Sequence, residues 1–351
     1  MTPLERLCGA AHGGAVDRPP CICPGGMMNG VVEDVMLKTG VYWPKAHGDA
    51  QMMAELARAL YESGGFENYG VPFCMTVEAE ALGAEVDMGD CEVEPHVVRP
   101  ALASCAEADR LKPFDVTKGR AAAVIEAIRI LKQRGGEVPV VGNITGPVSV
   151  AGTLVDMSVF LGDMRKHPDE CAHLLDVITE ALITYGRAMA SAGADVICVA
   201  EPSGTGEILG AKRFREFTVP YINRLLDAIE VPVKIVHICG KLRAVYEELS
   251  ALHCDAFSFD AIVNAREIRP YIPGKAVMGN VSTHAIGTMP EEKVRGLTRS
   301  AREMGVDILA PACGLPLSTP LGNIRAMVEA AKEAGAGGEW LRYASRSSDA
   351  R

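Results

Sequence analysis

Asp195–Ala200 reads DVICVA, and only its first residue is charged. Successive side chains of a strand point to opposite faces, so Ile197 and Val199 share one side while Val196, Cys198 and Ala200 share the other. Both sides are apolar. A strand of this kind belongs in a parallel sheet that helices cover on both faces. Ala276–Val281 (AVMGNV) and Asp307–Ala312 (DILAPA) read the same way. Working outward, strands are predicted at about 20–24, 71–75, 138–144, 195–201, 232–239, 255–260, 275–281 and 307–312. Amphipathic stretches between them predict helices over 121–134, 168–192, 211–229, 241–252, 290–304 and 321–334. Eight strands alternating with helices over 351 residues predict the α/β class and a (β/α)8 TIM barrel. An open doubly wound sheet is the alternative, but the chain has no G-x-G-x-x-G fingerprint to support it.

No solenoid repeat and no shift of composition divides the chain, so residues 1–351 are expected to form a single barrel domain. Residues 1–19 are expected to form an N-terminal extension, 85–118 an addition to the barrel, and 344–351 (ASRSSDAR) a frayed, disordered tail. The composition, 48% hydrophobic and 23% charged, is that of a soluble globular protein. A net charge of −10 without a Lys/Arg-rich run argues against nucleic acid or an anionic membrane as partner. The charge-free run 138–155 holds Asn143, Thr145, Pro147 and three glycines, which suits a buried strand and loop better than a membrane span. The N-terminus lacks the apolar core of a secretory signal, and eleven scattered cysteines suit a reducing cytoplasm. Homo-oligomer formation is left open.

Barrel enzymes carry their chemistry at the C-terminal ends of the strands. Here those ends hold His237-x-Cys239 at the end of the fifth predicted strand, and Cys313 at the end of the eighth. One nitrogen and two sulfurs are donors that zinc prefers, and three protein ligands leave a fourth position for substrate. The competing reading makes both cysteines small core residues and His237 a satisfied core histidine. Asp260, at the end of strand six, is a candidate oxygen ligand, and Glu201, at the end of strand four, a candidate pocket residue. Glu78 and Glu80 share a face if TVEAEALG is extended, and then form a paired carboxylate site; otherwise they open a solvated helix. Asn143 and Asn280 lie at other strand ends as pocket candidates. Cys21-x-Cys23 has no histidine nearby and reads as core, and TGPVSVAG (145–152) offers a helix start that could face an anion.

Several stretches together resemble one family: CPGGMMNG (23–30), YWPKAH (42–47), NYGVPFCMTVEAEALGA (68–84), VVGNITGPVSVAG (140–152), HICG (237–240) and ILAPACGLPLSTPLGNIRAMVEA (308–330). They resemble the methylcobamide:coenzyme M methyltransferases, a zinc-dependent branch of the uroporphyrinogen decarboxylase superfamily, over about residues 1–335. The resemblance implies a (β/α)8 barrel with zinc (Zn2+) held by His237, Cys239 and Cys313, which are also the catalytic residues, and an acidic ligand at Asp260. It implies a cytoplasmic enzyme of one-carbon metabolism that moves a methyl group from a methylcobamide, presented by a partner corrinoid protein, to a small thiol such as coenzyme M. The thiol gives up its proton on zinc and attacks the methyl carbon in line, and Co(I) leaves. Gly25, Gly26 and Gly314 are expected to let the flat macrocycle approach. Homocysteine or a tetrahydrofolate-type pterin as acceptor, and a noncatalytic corrinoid-protein docking subunit, are the alternatives. The decarboxylase branch carries an R-Q-A-G-R-Y loop after its first strand, where this chain has CPGGMMNG with no Arg or Asp, so decarboxylation is not expected.

Overall fold

The computed structural model describes residues 1–333. The tail at 344–351 and the last residue of the helix predicted over 321–334 lie outside the described residues. The strands in chain order are β1 (Tyr69–Val71), β2 (Glu85–Asp87), β3 (His96–Arg99), β4 (Val140–Thr145), β5 (Val196–Ala200), β6 (Val233–Ile238), β7 (Ala256–Phe259), β8 (Ala276–Val281) and β9 (Ile308–Pro311). Seven of them form one parallel sheet in the order β1-β4-β5-β6-β7-β8-β9, while β2 and β3 pair antiparallel as a separate hairpin within the predicted addition. Every residue of β4, β5, β7, β8 and β9 is buried, as strands apolar on both faces require.

The first predicted strand is reduced to a single bridge, Cys21 with Leu309, yet it closes the circuit. Ile22 N donates to Leu309 O at 2.9 Å, and Leu309 N donates to Pro20 O at 2.9 Å. On the other flank Glu67 N donates to Cys21 O at 2.8 Å. The Asn68 side chain then brackets Cys23, accepting from its N–H and donating to its carbonyl, both at 2.8 Å. A side chain thus does the work of a ladder, which is why no regular strand forms there. The second predicted strand ends earlier than expected, at Val71, because Pro72 has no N–H to continue the ladder.

Helices Ala50–Glu62, Gly119–Lys132, Pro168–Ala192, Val219–Asp227, Tyr246–Leu249, Ala265–Ile268, Glu291–Glu303 and Leu321–Lys332 alternate with the eight strand positions. The long predicted helix 211–229 is broken into an α-helix, a five-residue π-turn (Phe214–Thr218) and a second α-helix that opens on Pro220. The one predicted over 241–252 is shortened to two brief turns, because residues 239–242 form the loop that carries the site. Among the described residues no helix is long and apolar enough to cross a membrane. The run 138–155 becomes β4 and the helix Pro147–Leu154.

The N-terminal helix Pro3–Ala11 and the segment after it are tied to the barrel through Glu67. This buried carboxylate accepts from Arg18, from Cys21 N at 3.0 Å, and lies 3.6 Å from Arg6. Burial alone would push the Glu67 carboxyl up; Arg18, the Cys21 amide and Arg6 together outweigh it and hold the carboxyl below its ordinary value. A carboxyl with a depressed folded value contributes its full stabilisation above its unfolded value of about 4.3 and loses it as pH falls through the lower, folded value. Glu67→Gln is therefore expected to cost about 2 kcal/mol at pH 7 and progressively less as pH falls from about 4 through the folded value. Urea denaturation of both forms across that window checks it; two parallel curves would refute the assignment.

Candidate metal centre

His237 is the fifth residue of β6, and its strand partner on β7 is Ser258. Both are fully buried. The two side chains meet, with His237 Nδ1 2.9 Å from Ser258 Oγ, so the other ring nitrogen is turned toward the mouth. His237 Nε2 stands 3.0 Å from Cys239 Sγ, and Cys239 Sγ stands 3.5 Å from Cys313 Sγ. The three donor atoms lie within 4.8 Å of one another, and they are the one such group of three or more His, Cys, Asp or Glu among the described residues.

Two loops hold the sulfurs. After β6 the chain turns at Gly240 (φ +78°), a left-handed conformation that glycine adopts without strain. Gly240 N donates to Asp260 Oδ2 at 3.2 Å, and Lys241 N donates to Glu207 Oε2 at 3.0 Å. Cys313 follows β9, where Ala312 N donates to Val281 O at 2.8 Å and Leu315 N to Asn29 O at 2.9 Å. A side chain on Gly314 would collide with the Met27 carbonyl. The first loop, CPGGMMNG, is thereby packed directly on the residue after Cys313.

The two thiols share protons unequally. The Cys239 thiol, donating to Cys313, and then His237 favour the Cys313 thiolate and hold it below the ordinary thiol range despite burial. The same contact and burial push Cys239 up, and Asp260 adds to this. A doubly charged cation would remove that competition by drawing charge from both sulfurs. Zinc–sulfur bonds of about 2.3 Å in a tetrahedron place sulfurs about 3.8 Å apart, close to the separation found here. The donor set and its spacing fit zinc.

The other sequence-predicted residues divide sharply. Asp260 stands outside the donor group: one oxygen accepts from Gly240 N, and the other from Ile262 N at 3.2 Å. Glu201 does not face the mouth; it is fully buried and accepts from Val148 N and Gly204 N, both at 3.0 Å, and from the Ser149 hydroxyl. The helix start in TGPVSVAG is real, and the anion it faces is this internal carboxylate. Glu78 and Glu80 do not form a pair, because residues 77–82 are helical. Buried Glu78 accepts from Thr145 N at 2.8 Å, and Glu80 accepts from Arg120 Nε at 2.6 Å.

Asn280 donates to the Asp260 and Val263 carbonyls at 3.0 and 2.7 Å, and so shapes the turn after β7. Asn143 is buried with its amide nitrogen unpartnered, directly beneath Gly26, where any side chain would strike it. Gly25 and Gly26 (φ +98° and +57°) are needed for approach to the protein itself: a Cβ on Gly25 would meet the Gly70–Val71 backbone at 2.9 Å. Cys21 and Cys23 are buried and do not belong to the donor group, and burial pushes both thiols up. Two relevant residues escaped the sequence reading. Ser258 carries no motif and is found only through strand register. Glu94, between β2 and β3, is exposed as a residue, yet burial of its carboxyl and then the charge of Cys313 push it up to about 7, with Asn29 acting against the shift.

This geometry defines a parallel α/β barrel with a His-Cys-Cys donor set at its C-terminal mouth. Residues 2–334 match the family described as uroporphyrinogen decarboxylase (URO-D). The chain is 34% identical to the methylcobamide:CoM methyltransferase MtaA of Methanosarcina barkeri over 95% of its own length and 98% of the relative's. It is 33% identical to the methylated-thiol–coenzyme M methyltransferase of Methanosarcina mazei, covering 95% and 90% of the two chains. A solved methyltransferase from Methanosarcina mazei superposes with a TM-score of 0.87 at 32% identity, over 95% of this chain and 98% of that one. The chain belongs to the uroporphyrinogen decarboxylase family and, within it, to the group of the methylcobamide:CoM methyltransferases.

Proposed function

We propose that this enzyme transfers a methyl group from a methylated corrinoid, presented by a partner corrinoid protein, to a small thiol of the coenzyme M kind. His237, Cys239 and Cys313 hold a zinc ion for that reaction. The observation that carries the reading is the convergence of one imidazole and two thiols at the mouth of a barrel whose relatives act on methylcobamide and coenzyme M. When bound, zinc lowers the pKa of a coordinated thiol so that it is deprotonated at neutral pH.

The chain's own residues prepare the place. Ser258 holds the His237 ring so that Nε2 points at the sulfurs. Asp260 and Glu207 grip consecutive amides of the loop after Cys239 and keep that sulfur close to Cys313. Because Asp260 is engaged there, the protein supplies three donors and leaves a fourth position for the incoming thiol. The packed strands beneath exclude water from the histidine side of the centre.

Incubating the zinc-loaded enzyme with methylcobalamin and coenzyme M should generate Co(I), visible in the cobalamin spectrum, together with methylated thiol. Homocysteine and a reduced pterin are the comparison acceptors. Methylation of the pterin without any thiol would replace this reading, and full activity in demetallated protein would remove zinc from it.

A further inference from the structure

Away from the mouth, a second pair of cysteines meets. Cys105 Sγ and Cys171 Sγ are 3.2 Å apart across 66 positions of sequence. Cys105 opens the 3-10 turn Cys105–Arg110, which follows the β2–β3 hairpin. Cys171 lies in the first turn of the long helix Pro168–Ala192. A third segment, the helix Met157–Lys166, completes the junction: Cys105 N donates to Asp163 Oδ2 at 3.1 Å, and Phe160 O is 4.0 Å from Cys171 Sγ.

Both thiols are fully buried, but only beneath the surface layer, for Ala103, Ala106, Pro168 and Asp169 around them are exposed. Each sits at the end of its element, where local opening takes the least free energy. A disulfide needs a sulfur separation of about 2.0 Å, so closure asks for roughly 1 Å of approach. Neither thiol belongs to the His237–Cys239–Cys313 group.

We propose that Cys105 and Cys171 form a thiol–disulfide couple, which a low-molecular-weight disulfide oxidises to an intramolecular bond tying the turn Cys105–Arg110 to the helix Pro168–Ala192. One cysteine attacks the small disulfide, forms a mixed disulfide and releases one small thiol. The second cysteine then attacks the protein sulfur of that mixed disulfide, forms the Cys105–Cys171 bond and expels the second small thiol. The two protein thiols are oxidised, one small disulfide is reduced, and the two cysteine protons leave on the two small thiols. The bond anchors the turn that follows the β2–β3 hairpin to the long helix.

The test uses the zinc-loaded full chain equilibrated with oxidised and reduced glutathione at several ratios. The samples are quenched with iodoacetamide, digested without reduction and mapped by mass spectrometry. The expected result is a peptide pair joined through Cys105 and Cys171, increasing with the oxidised fraction. It is accompanied by a rise in Tm of roughly 5 °C that Cys105→Ser and Cys171→Ala both lack. Repeating the incubation in urea below the unfolding midpoint separates chemistry from access. Alkylation of both cysteines at every ratio, with and without urea, would overturn the proposal, as would an equal Tm rise in Cys105→Ser.

Discussion

Cys313→Ser is expected to abolish stable metal binding and to lower the methyl-transfer rate on the order of 10³-fold. Serine keeps the size of the side chain but replaces a soft, readily ionised sulfur with a hydroxyl that stays protonated at neutral pH. The remaining His237 and Cys239 make a two-donor site, which cannot hold zinc against a chelator. A metal contribution of about 4 kcal/mol to the barrier corresponds to the stated rate loss. Cys313 lies in a half-buried loop after β9, so the fold should survive and the thermal melt should move little. Metal content after dialysis against a chelator, read beside the methylcobalamin assay, decides the matter. Exposed Cys91, replaced in the same way, is the control and should retain both metal and rate. A Cys313→Ser protein that keeps stoichiometric zinc would remove Cys313 from the ligand set.

Glu201→Ala, away from the donor group, should destabilise the fold by about 4 kcal/mol. The carboxylate serves the N-terminus of the helix Pro147–Leu154, whose first amides have no partner within the helix. It accepts from Val148 N, from Gly204 N and from the Ser149 hydroxyl, while Ser149 Oγ in turn accepts from Ser203 N at 2.9 Å. Burial pushes the Glu201 carboxyl up, and these donors work against that shift. Removing it leaves orphaned donors in a fully buried site and a cavity against Gly146, where the carboxylate fills the space of a Cβ. Glu201→Gln keeps an acceptor and should lose less than half as much. Urea denaturation of the three proteins checks the order. A loss below 1 kcal/mol in the alanine form would show that the network is not what holds this helix start.

Several features were legible in the chain because they are local. DVICVA, AVMGNV and DILAPA declare strands buried on both faces, and β5, β8 and β9 formed there within a residue of the expected bounds. Pro168 at a helix start and Gly193 after its end delimit the longest helix at both termini. The H-x-C spacing on one strand face, with a distant cysteine after the last strand, was enough to nominate the donor set.

Acidic residues were harder to place, because a carboxylate's partner is seldom near it in sequence. Glu201 is 53 positions from Val148 and Glu67 is 46 from Cys21, so neither role has a sequence signature. Glu78 and Glu80 were separated by a change of backbone, since two positions apart is one face in a strand and nearly opposite sides in a helix.

By itself, then, the sequence determined the parallel barrel, the strand that carries His237 and ends just before Cys239, and the donor types found at that end, because periodicity and donor identity are properties of short segments. Only the tertiary structure decided that Cys313 comes within 3.5 Å of Cys239, that Ser258 aims the histidine, and that Asp260 and Glu201 serve backbone amides. Those outcomes depend on strand register and loop packing, which are set by contacts between residues far apart in the chain.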